Sequence, residues 1–593
     1  MSYKTTVRSI FAILFVLSSY SFAQIPAGYE EGLKVIRSGD FKEYISYLAS
    51  DELKGRAAGT EENMLASTLF RSRFLELQLK PFDENRGKRV LAELMDDDDS
   101  PMVKTKDGEE KDYSDLYFQK FFILETRMNE NSGLKVNYIN PNITKELSFQ
   151  FASQFVIDYR AAQNLSVTAP LVFLGYGIDK TDWNYSDYKT SDGKDISVKD
   201  KIVFIIEGYP QESDPNSQFN KNLKGSSFNN TKRKAAIAYE KGALAVIVYR
   251  TPLKDNPPFA VAYEAYANMF TKKQYTLPEL NRADAAPIIY VDNNVASALL
   301  EGSFRSLKRD LQKLDSTLKP ISYEVKEKTV SVDIKFDASL ISSQNIVGYL
   351  EGTDPELKKE YIVVGAHFDH VGLGHFGAMN RKDIGKIHNG ADDNASGTAA
   401  VLEIAEAFTK NRPKRSVIFI AFNAEEMGLL GSRYYAYQNP FKKINATKGM
   451  VNLDMIGRNE SKLVWAGGIF YSSDMKKVVE EANTNFDFEV LYNVGLLTFA
   501  SDQGPFIKKE IPAIFFHSGL HDEYHTPLDD AEKIDFEKAT KITKLAFVTS
   551  WILANTDNPP AYRALSNDEK AELVKESMQR MRKYRPETKK NHN

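Results

Sequence analysis

Cysteine is absent from all 593 residues. No disulfide can hold the fold, so stability must come from core size and from any bound metal. Imidazole and carboxylate are then the ligands left for a zinc-like ion. A surplus of positive charge is also lacking: the formal net charge is −4, with 27% charged and 42% hydrophobic residues. A nucleic-acid binder would normally carry a basic surplus, so the composition is that of a soluble globular protein with no nucleic-acid partner. Internal repeats are absent. The apolar run Ile10 to Leu17 is too short to span a bilayer comfortably. It follows Lys4 and Arg8 and precedes Ser21-Phe22-Ala23, a small-x-small site before Gln24. Residues 1–23 therefore read as a cleaved secretory signal, and the mature protein as secreted or periplasmic with no membrane attachment. A retained anchor is the competing reading of the same run.

A chain of this length predicts two or three domains. Residues 24–80 show helical spacing, with Phe41, Tyr44, Ile45 and Leu48 on one apolar face and Leu65, Leu69, Phe74, Leu75 and Leu77 on another. Between them lies a polar, glycine-bearing turn, Ser50-Asp51-Glu52-Leu53-Lys54-Gly55-Arg56-Ala57-Ala58-Gly59-Thr60. The acidic stretch 95–115 reads as a solvated loop. From 145 to 324 the texture changes to short β-rich runs, at 171–174, 201–206, 244–249 and 287–291, broken by Gly, Asn, Asp and Pro clusters. One helical stretch there, 232–241, stops at Gly242, a C-cap. After Ser331 strand and helix patterns alternate to about 555, as in a layered α/β fold. The helix after Gly397 should bury Val401, Leu402, Ile404, Ala405 and Phe408. Residues 561–593 read as a charged helix running into a basic tail.

Chemistry concentrates in the second half. Seven of the eight histidines lie between positions 367 and 525. A buried-strand run, Tyr361 to Ala366, breaks into His367-Phe368-Asp369-His370, and a glycine-rich loop then leads to Ala391-Asp392-Asp393-Asn394-Ala395-Ser396-Gly397. Three further apolar runs end in polar clusters: Asn423-Ala424-Glu425-Glu426, Asp454-Met455, and His517 with His521 to Pro527. Each alone is weak, since a glutamate pair can open a solvated helix and a lone aspartate can form a turn. Four such clusters, each just past a buried strand, point to one shared metal centre, because the carboxyl ends of strands are where open α/β sheets place ligands. Asp369 can hold the second nitrogen of His367.

The order HFDH, GADDNASG, AEE, LDM, YHTP resembles the zinc exopeptidase family of the bacterial leucyl-type aminopeptidases, glutamate carboxypeptidase and glutaminyl cyclase. SDELKGRAAGT resembles the segment preceding that family's catalytic sheet. Gly175-Tyr176-Gly177-Ile178 and the run from Lys241 to Tyr249 together resemble the protease-associated domain. The implied fold class is α/β: a phosphorylase/hydrolase-like mixed sheet sandwiched by helices, with an inserted small β-rich (protease-associated) domain. The catalytic domain would comprise 24–144 and 325–560 around the insertion at 145–324, whose default role is a structural lid or substrate guide.

The resemblance further implies two zinc ions per chain, other divalent ions being possible, bridged by Asp393. His367 and Asp454 would complete one ion's ligands, and Glu426 and His525 the other's. Glu425 would be the general base, Asp369 would orient His367, and Tyr524 would support the oxyanion. The Asp393–Asn394 peptide would be cis. One departure is Gln503, where many members have histidine; this bears on the substrate pocket and not on the metal count. His370, His375, His388, His517 and His521 receive no ligand role and read as loop or supporting residues.

An exported aminopeptidase acting on peptide substrates is the leading reading. A carboxypeptidase for acidic C-termini would need pocket arginines, for which Arg458 and Arg381 are the nearest candidates. Glutaminyl cyclase fits less well, because those enzymes use one zinc and five ligands are present here. A non-catalytic binding protein on the same scaffold would have lost ligands.

Overall fold

The computed structural model describes residues 25–82, 115–140, 143–158, 162, 164–223, 230–281, 287–300, 304–492 and 494–583. The expected signal, nearly all of the acidic loop and the basic tail fall outside these residues. Among the described residues, no helix is long and apolar enough to cross a membrane. The chain divides into two compact units, one formed by 1–121 with 343–593 and the other by 122–342.

The first unit is built on a mixed sheet. Seven of the sheet's ten strands matter for the site: β1 (Phe336–Leu350), β2 (Tyr361–His367), β3 (Ser416–Phe422), β4 (Thr447–Leu453), β5 (Leu463–Gly467), β6 (Glu489–Leu491) and β7 (Ala513–His517), with spatial order β1-β3-β2-β4-β7-β5-β6. The four central strands, β3, β2, β4 and β7, are mutually parallel, while β1 runs antiparallel to β3 and β5 antiparallel to β7. Side chains of β2 alternate between the two faces, as the pleat requires. Ile362, Val364 and Ala366 enter one core, with Val417, Phe419 and Ala421 of β3, and Val363 enters the other, with Ile418, Ile420 and Phe422. Burial on both faces explains why these strands read as unbroken apolar runs.

Helices cover both faces. On the first lie α1 (Glu30–Val35), α2 (Ser38–Leu48), α3 (Glu61–Glu76), α4 (Gly397–Lys410), α6 (Ser473–Asn483) and α8 (Phe536–Asn555), and on the second α5 (Leu430–Tyr437), α7 (Gln503–Lys508) and α9 (Asn567–Lys583). Helix α4 buries Val401, Leu402, Ile404, Ala405 and Phe408, as its spacing predicts. Truncating Phe419 or Phe547, both fully buried, to alanine should cost about 3–5 kcal/mol.

The second unit carries one eight-stranded sheet. Its strands Leu165–Phe173, Ile202–Ile206, Ala245–Tyr249 and Ile288–Val291 are parallel neighbours. The helical stretch expected at 232–241 is Thr231–Glu240, and Gly242 follows it at φ +92°. The unit reaches beyond 145–324 on both sides because Gly133–Asn140 pairs antiparallel with Tyr323–Ile334.

Candidate metal centre

The parallel strands deliver their carboxyl ends side by side. β2 ends in His367 and runs on to Asp369 and His370, β3 leads to Glu425 and Glu426, β4 to Asp454, and β7 to the segment bearing Tyr524 and His525. Asp393 precedes α4, and its peptide bond to Asn394 is cis, as expected. Two groups of side chains result: His370, Asp393, Glu426 and His525, and His367, Glu425 and Asp454.

Asp393 stands between them. Its Oδ1 lies 3.4 Å from His367 Nε2, which is also 3.4 Å from Asp454 Oδ1. Its Oδ2 lies 3.1 Å from His525 Nε2, which is 3.0 Å from Glu426 Oε2. Both imidazoles are oriented from behind. His525 Nδ1 donates to the Gly377 carbonyl at 2.7 Å, and His367 Nδ1 to the Asp369 carbonyl at 3.2 Å. Each Nε2 lone pair therefore points into the cluster, the arrangement that fixes a ligating histidine.

The donor set fits a cation. Oxygen and nitrogen atoms 3.0–3.4 Å apart here lack hydrogen-bond alignment, and His525 Nε2 and Asp454 Oδ1 have no hydrogen-bond partner. Lone pairs converging in a buried, carboxylate-rich cluster call for positive charge. Electrostatics show the same demand. Burial works against a charge on His525, yet Glu426 and Asp393 outweigh it and push its pKa up to about 12. Burial likewise opposes charge on His367, but Asp454 and Glu425 hold its pKa well above the ordinary value. Burial raises Glu426, but the charge of the neighbouring His525 and the hydrogen bond with His370 bring it down to about 2. Asp393 is likewise held well below the carboxylate range against its burial, by the imidazoles of His367, His525 and His370 beside it. Glu425 goes the other way: burial, with Glu426, Asp502 and Asp454 nearby, raises it well above the usual value.

The surrounding shell is dense. Asp369 lies 3.7 Å from His367 Nδ1, but its carboxylate chiefly accepts the peptide N–H groups of Glu425 and Glu426, at 3.1 and 3.3 Å. It thus fixes the turn that carries the glutamate pair. Tyr524 stacks on His525 with ring centroids 3.9 Å apart, and burial keeps its phenol protonated far above neutral pH. Asn394 knits the Asp393 loop to the end of β4, donating to Leu453 O and accepting from Met455 N–H. Ala424, Met455 and His525 all have left-handed φ, at +56°, +55° and +53°. Such conformations cost non-glycine residues roughly 1–3 kcal/mol and persist where the surroundings over-determine them.

Several contributors carried no sequence signal of their own. Arg56, fully buried, donates to the carbonyls of Leu48, Phe368, Asn389, Gly390 and Asp393. Its position within SDELKGRAAGT was the available hint. Asp529, also buried, accepts from the N–H groups of Asp392 and Asp393 at 3.0–3.1 Å. His370 joins the cluster itself. The other histidines stay outside it: His375 is exposed, His388 packs on Gly374, His517 stacks on Trp465, and His521 faces Asp392 at 3.4 Å. Gln503 is buried, and its amide links Asn452, two residues before Asp454, to the carbonyls of Leu497 and Thr498. Arg458 is committed to Glu523 at 2.8 Å.

Residues 345–550 match the model of Peptidase family M28. Over 248 residues the chain is 28% identical to Aminopeptidase YwaD of Bacillus subtilis, covering 40% of this chain and 48% of that protein. Over 265 residues it is 25% identical to a probable zinc metalloprotease of Pyrenophora tritici-repentis, covering 37% of this chain and 59% of that one. Among solved structures it is similar to the aminopeptidase from Aneurinibacillus sp. strain AM-1, with TM-score 0.45 and 19% identity over 91% of this chain and 99% of the other. The chain spans about half the length of the curated relatives it matches.

Proposed function

We infer from this M28 metallopeptidase unit that the protein is an exported, dinuclear zinc exopeptidase that removes single residues from peptide N-termini. The observation that carries the reading is Asp393, whose two oxygens face two separate sets of ligand atoms, His367 with Asp454 and His525 with Glu426. Those five residues would hold the pair of ions, with Asp393 shared. Zinc held there supplies Lewis acidity at the scissile carbonyl.

The rest is done by the chain. Glu425 would accept the proton of the attacking water and return it to the departing amine, so that no charge is stranded in a buried site. Its partner Glu426 is spoken for by His370 and His525, which leaves Glu425 as the carboxylate free to exchange a proton. Tyr524, kept a phenol by burial, would donate to the developing oxyanion. Asp369 would serve both roles by holding His367 and the Glu425–Glu426 turn.

An aminopeptidase is favoured over a carboxypeptidase for an electrostatic reason. Arg458, a candidate for gripping a C-terminal carboxylate, is already neutralised by Glu523. The test is metal analysis with hydrolysis of free and N-acetylated amino-acid anilides. Two zinc ions per chain and cleavage of the free amines alone is the expected result. Cleavage of the acetylated substrates at equal rate would refute the aminopeptidase reading. Export is tested separately: mass spectrometry of secreted protein should find its N-terminus at or near Gln24.

A further inference from the structure

We propose that His370 is a positioning residue for Glu426, and that it supports one half of the metal centre and not the other; this rests on the dinuclear reading above. Its imidazole is fully buried and meets His525 edge-on, with ring centroids 5.4 Å apart. The slot it occupies is made by Gly390, at φ +61°, where a Cβ would come within 2.5 Å of the ring atoms Cγ and Cδ2. Any side chain at 390 would expel the ring.

His370 belongs to the group of four that could surround a cation, so it could be taken for a ligand. The hydrogen bonding argues otherwise. Its Nδ1 lies 2.8 Å from Glu426 Oε1 in hydrogen-bond alignment. The carboxylate can only accept, so Nδ1, the ring nitrogen that faces Glu426 and Asp393, carries the proton and has no lone pair to offer a metal there; the lone pair lies on Nε2, which is buried without a hydrogen-bond partner. His525 Nε2 lies at nearly the same distance from the other oxygen, 3.0 Å from Oε2, yet has no hydrogen-bond partner. One glutamate thus has two distinguishable oxygens: Oε1 is tied to His370, and Oε2 faces His525 and Asp393. Nδ1 is also 3.8 Å from Asp393 Oδ2, outside bonding distance.

Holding Oε1 fixes the plane of the carboxylate and would leave Oε2 as the oxygen free to meet a cation. The His367 half shows no matching donor: among the described residues no side chain or amide hydrogen-bonds the Asp454 carboxylate, whose Oδ1 faces His367 Nε2 at 3.4 Å. Loss of the His370 proton should therefore be felt by one ion.

The experiment uses the full-length protein stripped of metal and titrated with Zn²⁺ by calorimetry and with Co²⁺ by visible absorption. His370→Leu removes the donor at similar volume, and His370→Asn keeps an N–H donor close to the Nδ1 position. Loss of a partner behind a ligand typically weakens metal binding about 10–100-fold, so His370→Leu should weaken one of two steps by that factor and leave the other within ~3-fold. His370→Asn should recover most of the loss, which a merely space-filling histidine would not predict. The Co²⁺ band shape should stay that of the wild type in both variants.

Three results would overturn the proposal. Unchanged affinity for both ions in His370→Leu would mean that the bond does no work. Equal weakening of both ions would mean general damage, with thermal unfolding as the control for stability. Loss of one step in both variants with an altered Co²⁺ spectrum would make His370 a ligand. Failure of the underlying dinuclear reading looks different: the wild-type protein would itself bind fewer than two ions.

Discussion

Arg56 offers the sharpest test of how the metal-bearing loop is held. Replacing it with methionine keeps most of the volume and removes all five donors. Of the carbonyls it serves, Gly390 O also accepts from Ala395 N–H and so keeps a partner. Those of Leu48, Phe368 and Asn389 depend on Arg56 for their hydrogen bonds among the described residues, and Asp393 O is a weaker contact at 3.4 Å. Leaving a buried acceptor unpaired costs about 1–3 kcal/mol, which for three acceptors gives roughly 3–9 kcal/mol. Two effects reduce this. Entry of water can satisfy some acceptors, and the variant no longer buries a guanidinium, whose pKa falls to about 10 because burial outweighs the attraction of Asp393 and Asp369. The net expectation lies around or just below the lower bound of that range, ~2–4 kcal/mol of unfolding free energy. Urea unfolding of the metal-free protein, followed by near-ultraviolet circular dichroism, measures it. Since Asn389, Gly390 and Asp393 lead into the shared ligand, zinc affinity should fall alongside stability. Arg56→Lys keeps the charge but presents a compact point donor in place of a fork, and should fall between. An Arg56→Met protein within ~0.5 kcal/mol of wild type, with zinc affinity intact, would refute the account.

Three further outcomes are expected. Glu425→Gln should keep both ions and the fold while turnover drops at least ~10²-fold, because general base catalysis typically contributes 10²–10⁴; a variant that loses an ion instead would mean that Glu425 and Glu426 have exchanged roles. Asp393→Asn should weaken both metal sites, whereas Glu426→Gln or Asp454→Asn should weaken mainly one, and metal analysis showing one site normal in Asp393→Asn would remove the bridging assignment. Glu403, buried in α4, is raised to about 8 by burial, with Asp40 and Glu406 adding and the Arg37 N–H opposing. A carboxyl whose folded pKa is raised favours the folded state at low pH and loses that contribution as pH climbs from its unfolded value to about 8. At ~1.4 kcal/mol per unit, wild type should lose roughly 2–5 kcal/mol relative to Glu403→Gln between acid and mildly alkaline pH; a stability difference that does not change with pH would exclude the shift.

What the sequence disclosed and what it withheld divide along physical lines. Tyr361 to Ala366 read as a buried strand, and β2 is Tyr361–His367, because a strand packed on both faces has no polar alternation to obscure it. The cluster was legible for a related reason. With cysteine absent, few side chains can bind zinc, and four groups of them stood directly after such strands. The same logic was available in the second unit, where Ile202–Ile206, Ala245–Tyr249 and Ile288–Val291 are buried at every position. Such continuous burial is the mark of parallel strands covered on both sides, and the strands are indeed parallel. Reading those runs only as β-rich passed over that information.

What stayed hidden is what depends on direction and not on composition. Periodicity says which side of a strand a residue faces, but it has no force in a loop, and His370 lies just beyond the strand end. Nothing in HFDH tells its two histidines apart. One presents an Nε2 lone pair to Asp393 and Asp454, and the other spends an Nδ1 proton on Glu426. Arg56 sits 337 positions from Asp393, whose carbonyl it binds, and an arginine in a polar turn is normally solvated. Asp529 carries no signal in the sequence, yet its carboxylate accepts from the two amides at Asp392 and Asp393. These three residues share one property: each supplies protons or charge to backbone or ligand atoms and none need touch a metal. Ligand identity can be read from residue type because metal chemistry restricts it severely. The supporting residues answer only to geometry, so many residue types could serve, and it is through them that the site's precision is set.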